Sequence, residues 1–190
     1  LMMPLLEVLN LVKHFPVRGG VFNTVQGHVH AVNGVSLAIR KGETLGVVGE
    51  SGCGKSTLGK MIIRLIEPTS GTITMEGREI TALDHAGMMP LRRRMQIIFQ
   101  DPYSSLNPRL TVRQLLREVI DFHGIVEGED RAQEANAAEA YIDALLAKVG
   151  LRSDAKDKFP HEFSGGQRQR LAIARALAVK PEFIVADEPV

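Results

Sequence analysis

The sequence predicts an α/β fold: a core of short, mostly parallel strands, an antiparallel β subdomain at the N-terminus, and a helical subdomain inserted after residue 100. Three observations carry this. Apolar residues fall near a two-residue period from Leu5 to Val12 and again at Val35, Leu37 and Ile39, the pattern of half-buried strands. Three short, almost wholly apolar runs, 44–48, 96–99 and 183–186, have the composition of parallel strands buried on both faces. Between the second and third runs apolar residues recur at helical spacing.

The elements follow in order. Strands at 5–12 and 35–39 flank a turn signal at Arg18-Gly19-Gly20, and 16–29 has the character of an insertion. The buried strand 44–48 feeds directly into glycines, after which Lys55 to Ile66 forms a helix stopped by Pro68. Gly71 to Gly77 forms a short strand with Ile73 and Met75 on one face. Past strand 96–99, Asp101-Pro102 and the polar residues to Pro108 break the backbone. Val112, Leu115, Leu116 and Val119 then define one amphipathic helix, and Ala138, Ile142, Leu145 and Val149 a second. Gln167 to Val179 forms an alanine-rich helix, and Phe183 to Ala186 a last buried strand ending in Asp187-Glu188.

The 190 residues carry 23 Lys plus Arg and 22 Asp plus Glu, so the chain cannot hold a polyanion by overall charge and must meet one locally. Cys53 is the sole cysteine, which excludes an intramolecular disulfide and a cysteine zinc cluster and favours a reducing compartment. No run approaches the ~18 apolar residues of a spanning helix. Leu1 to Leu6, broken by Pro4, is too short for a secretory signal.

Gly49-Glu50-Ser51-Gly52-Cys53-Gly54-Lys55-Ser56 fits G-x-x-x-x-G-K-[ST] between a predicted strand and a predicted helix, the context that a phosphate loop requires. Glycines let such a loop wrap a phosphate in its own amides. Lys55 then reaches the outer phosphates, Ser56 ligates Mg²⁺, and the helix N-terminus adds partial positive charge. The candidate nucleotide-binding stretch is Gly49, Glu50, Ser51, Gly52, Cys53, Gly54, Lys55, Ser56 and Thr57, with Cys53 present as a small residue. Asp187 and Glu188 sit where a parallel sheet presents its C-terminal edge to ligand. Asp187 suits Mg²⁺ binding through its water shell, and Glu188 the orientation or deprotonation of an attacking water.

Phe163-Ser164-Gly165-Gly166-Gln167, followed by Arg168-Gln169-Arg170, offers a hydroxyl and glycine amides at a second helix N-terminus, hence a second anion site. Two phosphate cradles in one chain make sense if two chains sandwich a nucleotide. This string resembles the signature motif of ATP-binding cassette (ABC) proteins, and the order of motifs along the chain is similar to theirs: phosphate loop, Q-loop at Gln100, helical subdomain, signature, and Walker B at 183–188. The fold class so implied is a phosphate-loop ATPase core with the two added subdomains. Its parts are 1–100 (β subdomain and core), 101–166 (helical subdomain with signature) and 167–190 (return to the core).

The resemblance implies ATP and Mg²⁺ as cofactors and head-to-tail pairing with a second ABC ATPase subunit, identical or homologous. Ser164, Gly165, Gly166 and Gln167 would then close over the nucleotide held by the partner's phosphate loop. Gln100 would sense Mg²⁺ and the transport partner, joining Ser56 and Asp187 at the metal and Glu188 in catalysis. Phe15 matches the position of an aromatic that stacks on adenine, with Phe22 as competitor. Phe163 replaces a commoner leucine without disturbing the amides beside it. His161 reads as a surface or packing residue, and Arg92-Arg93-Arg94 as a solvated face.

The long segment between the first two strands and the string Phe99 to Arg109 resemble the ATPase subunits of bacterial oligopeptide and dipeptide importers. That implies integral-membrane permease partners, a solute-binding protein outside the membrane acting indirectly, no nucleic acid, and a place on the inner face of the cell membrane in the cytoplasm. Alternatives are an ABC ATPase for nickel or another small solute, or a soluble ABC protein acting on nucleic acid. A phosphate-loop kinase fits less well, given the signature and the Asp187-Glu188 pair. Family members continue into a D-loop, a further strand and a switch histidine, and none of the six histidines follows Glu188. The resemblance thus implies that 1–190 is a fragment whose central sheet lacks a strand between those of the phosphate loop and Walker B, leaving it poorly stable and unable to turn over ATP alone.

Overall fold

The computed structural model describes residues 3–19, 24–101 and 105–188. The chain forms two compact units, Leu1–Pro90 and Leu91–Val190.

In the first unit β1 (Leu6–Gly19) and β2 (Thr24–Ile39) form a long antiparallel hairpin, registered from Leu6↔Ile39 to Gly19↔Thr24. β3 (Ser70–Met75) pairs with the other edge of β1, and the short β4 (Arg78–Glu79) follows, giving the order β2-β1-β3-β4. The segment 16–29, expected as an insertion, continues this ladder, with Pro16 opposite His28. The alternation there is hard to read because Phe15, Val17 and Val29 are exposed apolar residues. Leu6, Val8, Leu11, Ile73 and Met75 of the sheet are buried, as are Leu58, Met61 and Ile62 of α1 (Lys55–Ile62). The helix ends earlier than expected because the backbone leaves the helical region at Ile63 and is left-handed at Arg64 (φ 56°).

One expectation fails here. Residues 44–48 form no strand and are exposed throughout, Val48 at 93%. A buried strand needs ladder partners for its amides and carbonyls, and among the described residues nothing pairs with this run. Apolar composition alone does not create a strand.

α2 (His85–Arg94) was not foreseen, since Pro90 and three arginines obscure its periodicity; it starts at Asp84, whose Oδ1 accepts from the Gly87 N–H at 2.8 Å. The arginine run is not merely solvated: Arg94 grips both oxygens of Glu182 at 2.6 and 2.7 Å.

In the second unit β5 (Met95–Ile98) lies parallel to β6 (Phe183–Ala186), from Met95↔Phe183 to Ile98↔Ala186. These two strands are the parallel part of the fold among the described residues. α3 (Val112–Phe122) opens with a Thr111–Gln114 capping box. α4 (Arg131–Lys148) opens on Asp130, which accepts from the amides of Ala132 and Gln133, both at 2.8 Å. α5 (Gly165–Ala178) completes the unit. Val112, Leu116, Ile142, Leu146 and Leu171 form the centre of an apolar cluster that also takes in Phe163. Around it Arg113 bonds Asp157 and Glu139, and Lys156 bonds Asp143 at 2.9 Å. Among the described residues no helix is long and apolar enough to cross a membrane.

Candidate functional site

The phosphate loop belongs to the first unit. Gly54, the N-cap of α1, has φ 99°, and a Cβ on it would lie 2.1 Å from the Ala31 carbonyl oxygen of β2. No L side chain fits this conformation and this space together. Lys55 Nζ donates to the carbonyls of Gly49 and Glu50, each at 2.8 Å, and stands 3.9 Å from Cys53 Sγ. The lysine thus draws its own loop into a ring around one ammonium. Residues 49–53 are exposed, and Gly54, Lys55, Ser56 and Thr57 are half-buried.

Phe15 lies mid-strand in β1 rather than at its end, because the ladder runs on to Gly19. Its partner is Val29, two residues along β2 from the Ala31 that abuts Gly54. Two residues of strand span about 7 Å and neighbouring strands about 5 Å, so the backbone brings Phe15 and the phosphate loop to one region of the unit. The competing Phe22 lies outside the described residues.

In the second unit the ends of β5 and β6 gather the acidic strand end and the Q-loop residue. The Asp187 N–H donates to the Ile98 carbonyl at 2.9 Å, continuing the ladder. Gln100 Nε2 donates to Glu188 Oε2 at 2.5 Å, across 88 residues of sequence. Because a carboxylate only accepts, this bond leaves the Gln100 carbonyl oxygen for another partner. Glu188 has φ 46°, a region that costs a non-glycine residue about 1 to 2 kcal/mol and that clusters at functional positions.

The signature string caps α5. Ser164 Oγ accepts from the Gln167 N–H at 3.3 Å, and Gln167 Oε1 accepts from the Ser164 N–H at 3.0 Å, a reciprocal capping box. Residues 164–167 are exposed, whereas Phe163 is buried at 6% in the apolar cluster. The larger ring is therefore an anchor that holds the exposed turn in place. Added Cβ atoms at Gly165 and Gly166 would meet nothing within 4 Å among the described residues. His161 is exposed and stacks on Phe159 with centroids 5.6 Å apart.

Sequence reasoning missed a polar recess of about 220 Å³ in the second unit, lined by Phe99, Ser105, Val119, His123, Arg175 and neighbours. Arg175 Nη1 donates to the Ser105 carbonyl at 3.0 Å. Burial and the nearby Arg93 charge hold the His123 imidazole below its ordinary range. Only folding brings α3, α5 and the end of β5 together, so no local sequence signal marks this recess.

The chain is similar to known proteins in sequence and in fold. The oligopeptide transport ATP-binding protein AppF of Bacillus subtilis is 47% identical over 98% of this chain and 55% of its own length. The putative oligopeptide transport ATP-binding protein YkfD of the same species is 50% identical over 99% of the chain and 54% of its length. A glutathione import ATP-binding protein, GsiA of Pectobacterium atrosepticum, is 50% identical over 98% of the chain and 29% of its length. The chain thus spans about half the length of the first two relatives and under a third of the last. Among solved structures, the dimeric ATP-binding cassette MJ0796 bound to ADP and Pi superposes with a TM-score of 0.80 at 29% identity, covering 97% of this chain and 74% of that one. The ABC transporter component cbiO1 of Clostridium perfringens gives 0.72 at 26%, covering 97% and 65%. A family model described as ABC transporter matches residues 32–190, and the chain belongs to that family.

Proposed function

We propose that this chain is the ATP-binding and ATP-hydrolysing part of a bacterial ABC importer of the peptide class. The observation that carries the proposal is the loop at Gly54–Lys55, left-handed, pressed against Ala31 and closed around the lysine ammonium. A phosphate entering it exchanges neutral carbonyl partners of Lys55 for charged oxygens, which form hydrogen bonds about twice as strong. Backbone amides of the loop and of the first turn of α1 would supply further donors.

Glu188 is the proposed base for the attacking water, with Gln100 holding its carboxylate by the 2.5 Å bond. The Ser56 hydroxyl, the Asp187 carboxylate and the Gln100 carbonyl are hard oxygen donors, which fits Mg²⁺. Bound Mg²⁺ would neutralise charge on the phosphate oxygens. Phe15 is the proposed platform for adenine. Ser164 and the amides of Gly165 and Gly166 would complete the site of a second ABC subunit, as their exposure at a capped helix start permits.

We assign the recess at Phe99, Ser105, His123 and Arg175 to the permease. At about 220 Å³ it is smaller than the roughly 300 to 1,000 Å³ of small-molecule pockets, a size suited to a protruding side chain of a membrane subunit. The chain then works in the cytoplasm on the inner face of the membrane. The names of the relatives, which include oligopeptide transport and glutathione import, support the solute class. The test is uptake of labelled oligopeptide into proteoliposomes holding the full chain with its permease and second ATPase subunit. ATP-driven accumulation that Lys55→Ala abolishes is expected. ATP-driven uptake of Ni²⁺ in place of peptide would overturn the solute class, and uptake unchanged by Lys55→Ala would overturn the role of the loop.

A further inference from the structure

β1 carries a cation beside the proposed base platform. Lys13 Nζ stands 5.0 Å from the centroid of the Phe15 ring, inside the ~6 Å reach of cation-π attraction. The same ammonium donates to the Glu67 carbonyl at 2.7 Å. Glu67 lies in the segment leaving α1, the helix that begins at Lys55. Two further bonds clasp that segment to β1: the Thr69 N–H donates to the Val12 carbonyl at 2.8 Å, and Thr69 Oγ1 accepts from the His14 N–H at 3.0 Å. One side chain therefore touches both the ring and the segment that follows the phosphate-loop helix.

Phe15 remains 37% exposed with this ammonium over it, so the ring keeps area for a ligand. We infer that Lys13 is a positioning residue for the nucleobase, covering one face of Phe15 and fixing the ring as a one-sided platform for a purine. The inference rests on the proposed role of Phe15 and extends it. The cation draws ring density towards itself, which fixes the ring orientation and lessens electrostatic repulsion between the stacked π faces of Phe15 and a base. The bond to Glu67 keeps the flexible lysine stem from swinging across the face the base must use.

The experiment compares affinity for ATP with affinity for tripolyphosphate, which engages the phosphate loop and has no base. It uses the full chain as wild type, Lys13→Met, Lys13→Arg, Phe15→Ala and the Lys13→Met/Phe15→Ala double variant, with thermal unfolding to verify folding. Lys13→Met is expected to weaken ATP binding about 2- to 5-fold, the range of an exposed cation-π contact. Tripolyphosphate affinity should hold, Lys13→Arg should retain most of the ATP affinity, and Lys13→Met should have no effect once Phe15 is alanine. Unchanged ATP affinity in Lys13→Met with a loss in Phe15→Ala would overturn the role of Lys13 and leave that of Phe15. Equal losses for ATP and tripolyphosphate in Lys13→Met would overturn the inference by making Lys13 a general electrostatic or structural residue. No loss in Phe15→Ala would remove the platform and the inference together.

Discussion

Two helix starts in this chain carry the glycines proposed to meet an anion, and they do so under different constraints. At α1 the chain itself demands glycine, because Gly54 is left-handed and a Cβ would strike the Ala31 carbonyl oxygen. At α5 a Cβ on Gly165 or Gly166 meets open space among the described residues, while Ser164 and Gln167 satisfy the cap and Phe163 anchors the turn. At these two positions the contacts of the fold leave room for a side chain. The first loop is shaped from within, as the proposed phosphate site requires; the second leaves room for the proposed second subunit to approach from outside.

That contrast can be sharpened by separating the holding of nucleotide from its consumption. Glu188→Gln keeps an acceptor for Gln100 and removes the base, so turnover should fall about 10²- to 10⁴-fold with ATP affinity intact. Steady-state phosphate release beside equilibrium binding checks this, and undiminished turnover would remove Glu188 from the chemistry. Gly54→Ala comes next in size. It combines the left-handed penalty of about 1 to 2 kcal/mol with a backbone overlap, so nucleotide affinity should fall at least tenfold and the melting temperature should drop. An alanine variant binding as tightly as wild type would break the constraint from within.

Smaller still, Ser164→Ala should cost about 1 kcal/mol of stability through the lost cap, measurable by denaturant unfolding. No loss would mean that the serine, like its glycines, serves only outward. The smallest expected effect concerns acid. Burial, then the charges of His30 and His28, hold the His14 imidazole below its ordinary range. His14 and His30 are cross-strand partners with ring centroids 3.9 Å apart. A depressed value means the hairpin contributes this stability fully above about pH 6.5 and loses it as pH falls through the folded value. In the second unit the Ser153 hydroxyl and Lys156 depress Asp143, so its share is retained until pH falls below about 3.9. Hydrogen exchange between pH 7.5 and 5 should therefore loosen β1 and β2 before α4, and His14→Gln should blunt the difference. Equal loosening of the two regions would contradict it.

Much of this was legible because it is local. The phosphate loop and the signature are short strings whose glycines and caps act within a few residues, and α3, α4 and α5 follow from helical spacing and capping residues. What needed the structure is nonlocal. Residues 44–48 have the composition of a buried strand, but a strand is made by its neighbours, and none is described beside them. The Arg94–Glu182 and Gln100–Glu188 bonds each join residues 88 apart, and no spacing rule reaches that far. α2 stayed hidden because Pro90 is a poor helix former in an interior position. The role of Phe163 became clear only once the cluster that buries it was assembled.

The measurement that bears most directly on the inward and outward glycines is Gly166→Ala, followed for ATP affinity and thermal stability in the full chain and for phosphate release in the complex with the second ABC subunit. Affinity and stability should match wild type while phosphate release falls at least about 100-fold, the scale of a blocked oxyanion donor. Wild-type release, or a loss of stability as large as that in Gly54→Ala, would contradict a signature turned towards another subunit's nucleotide.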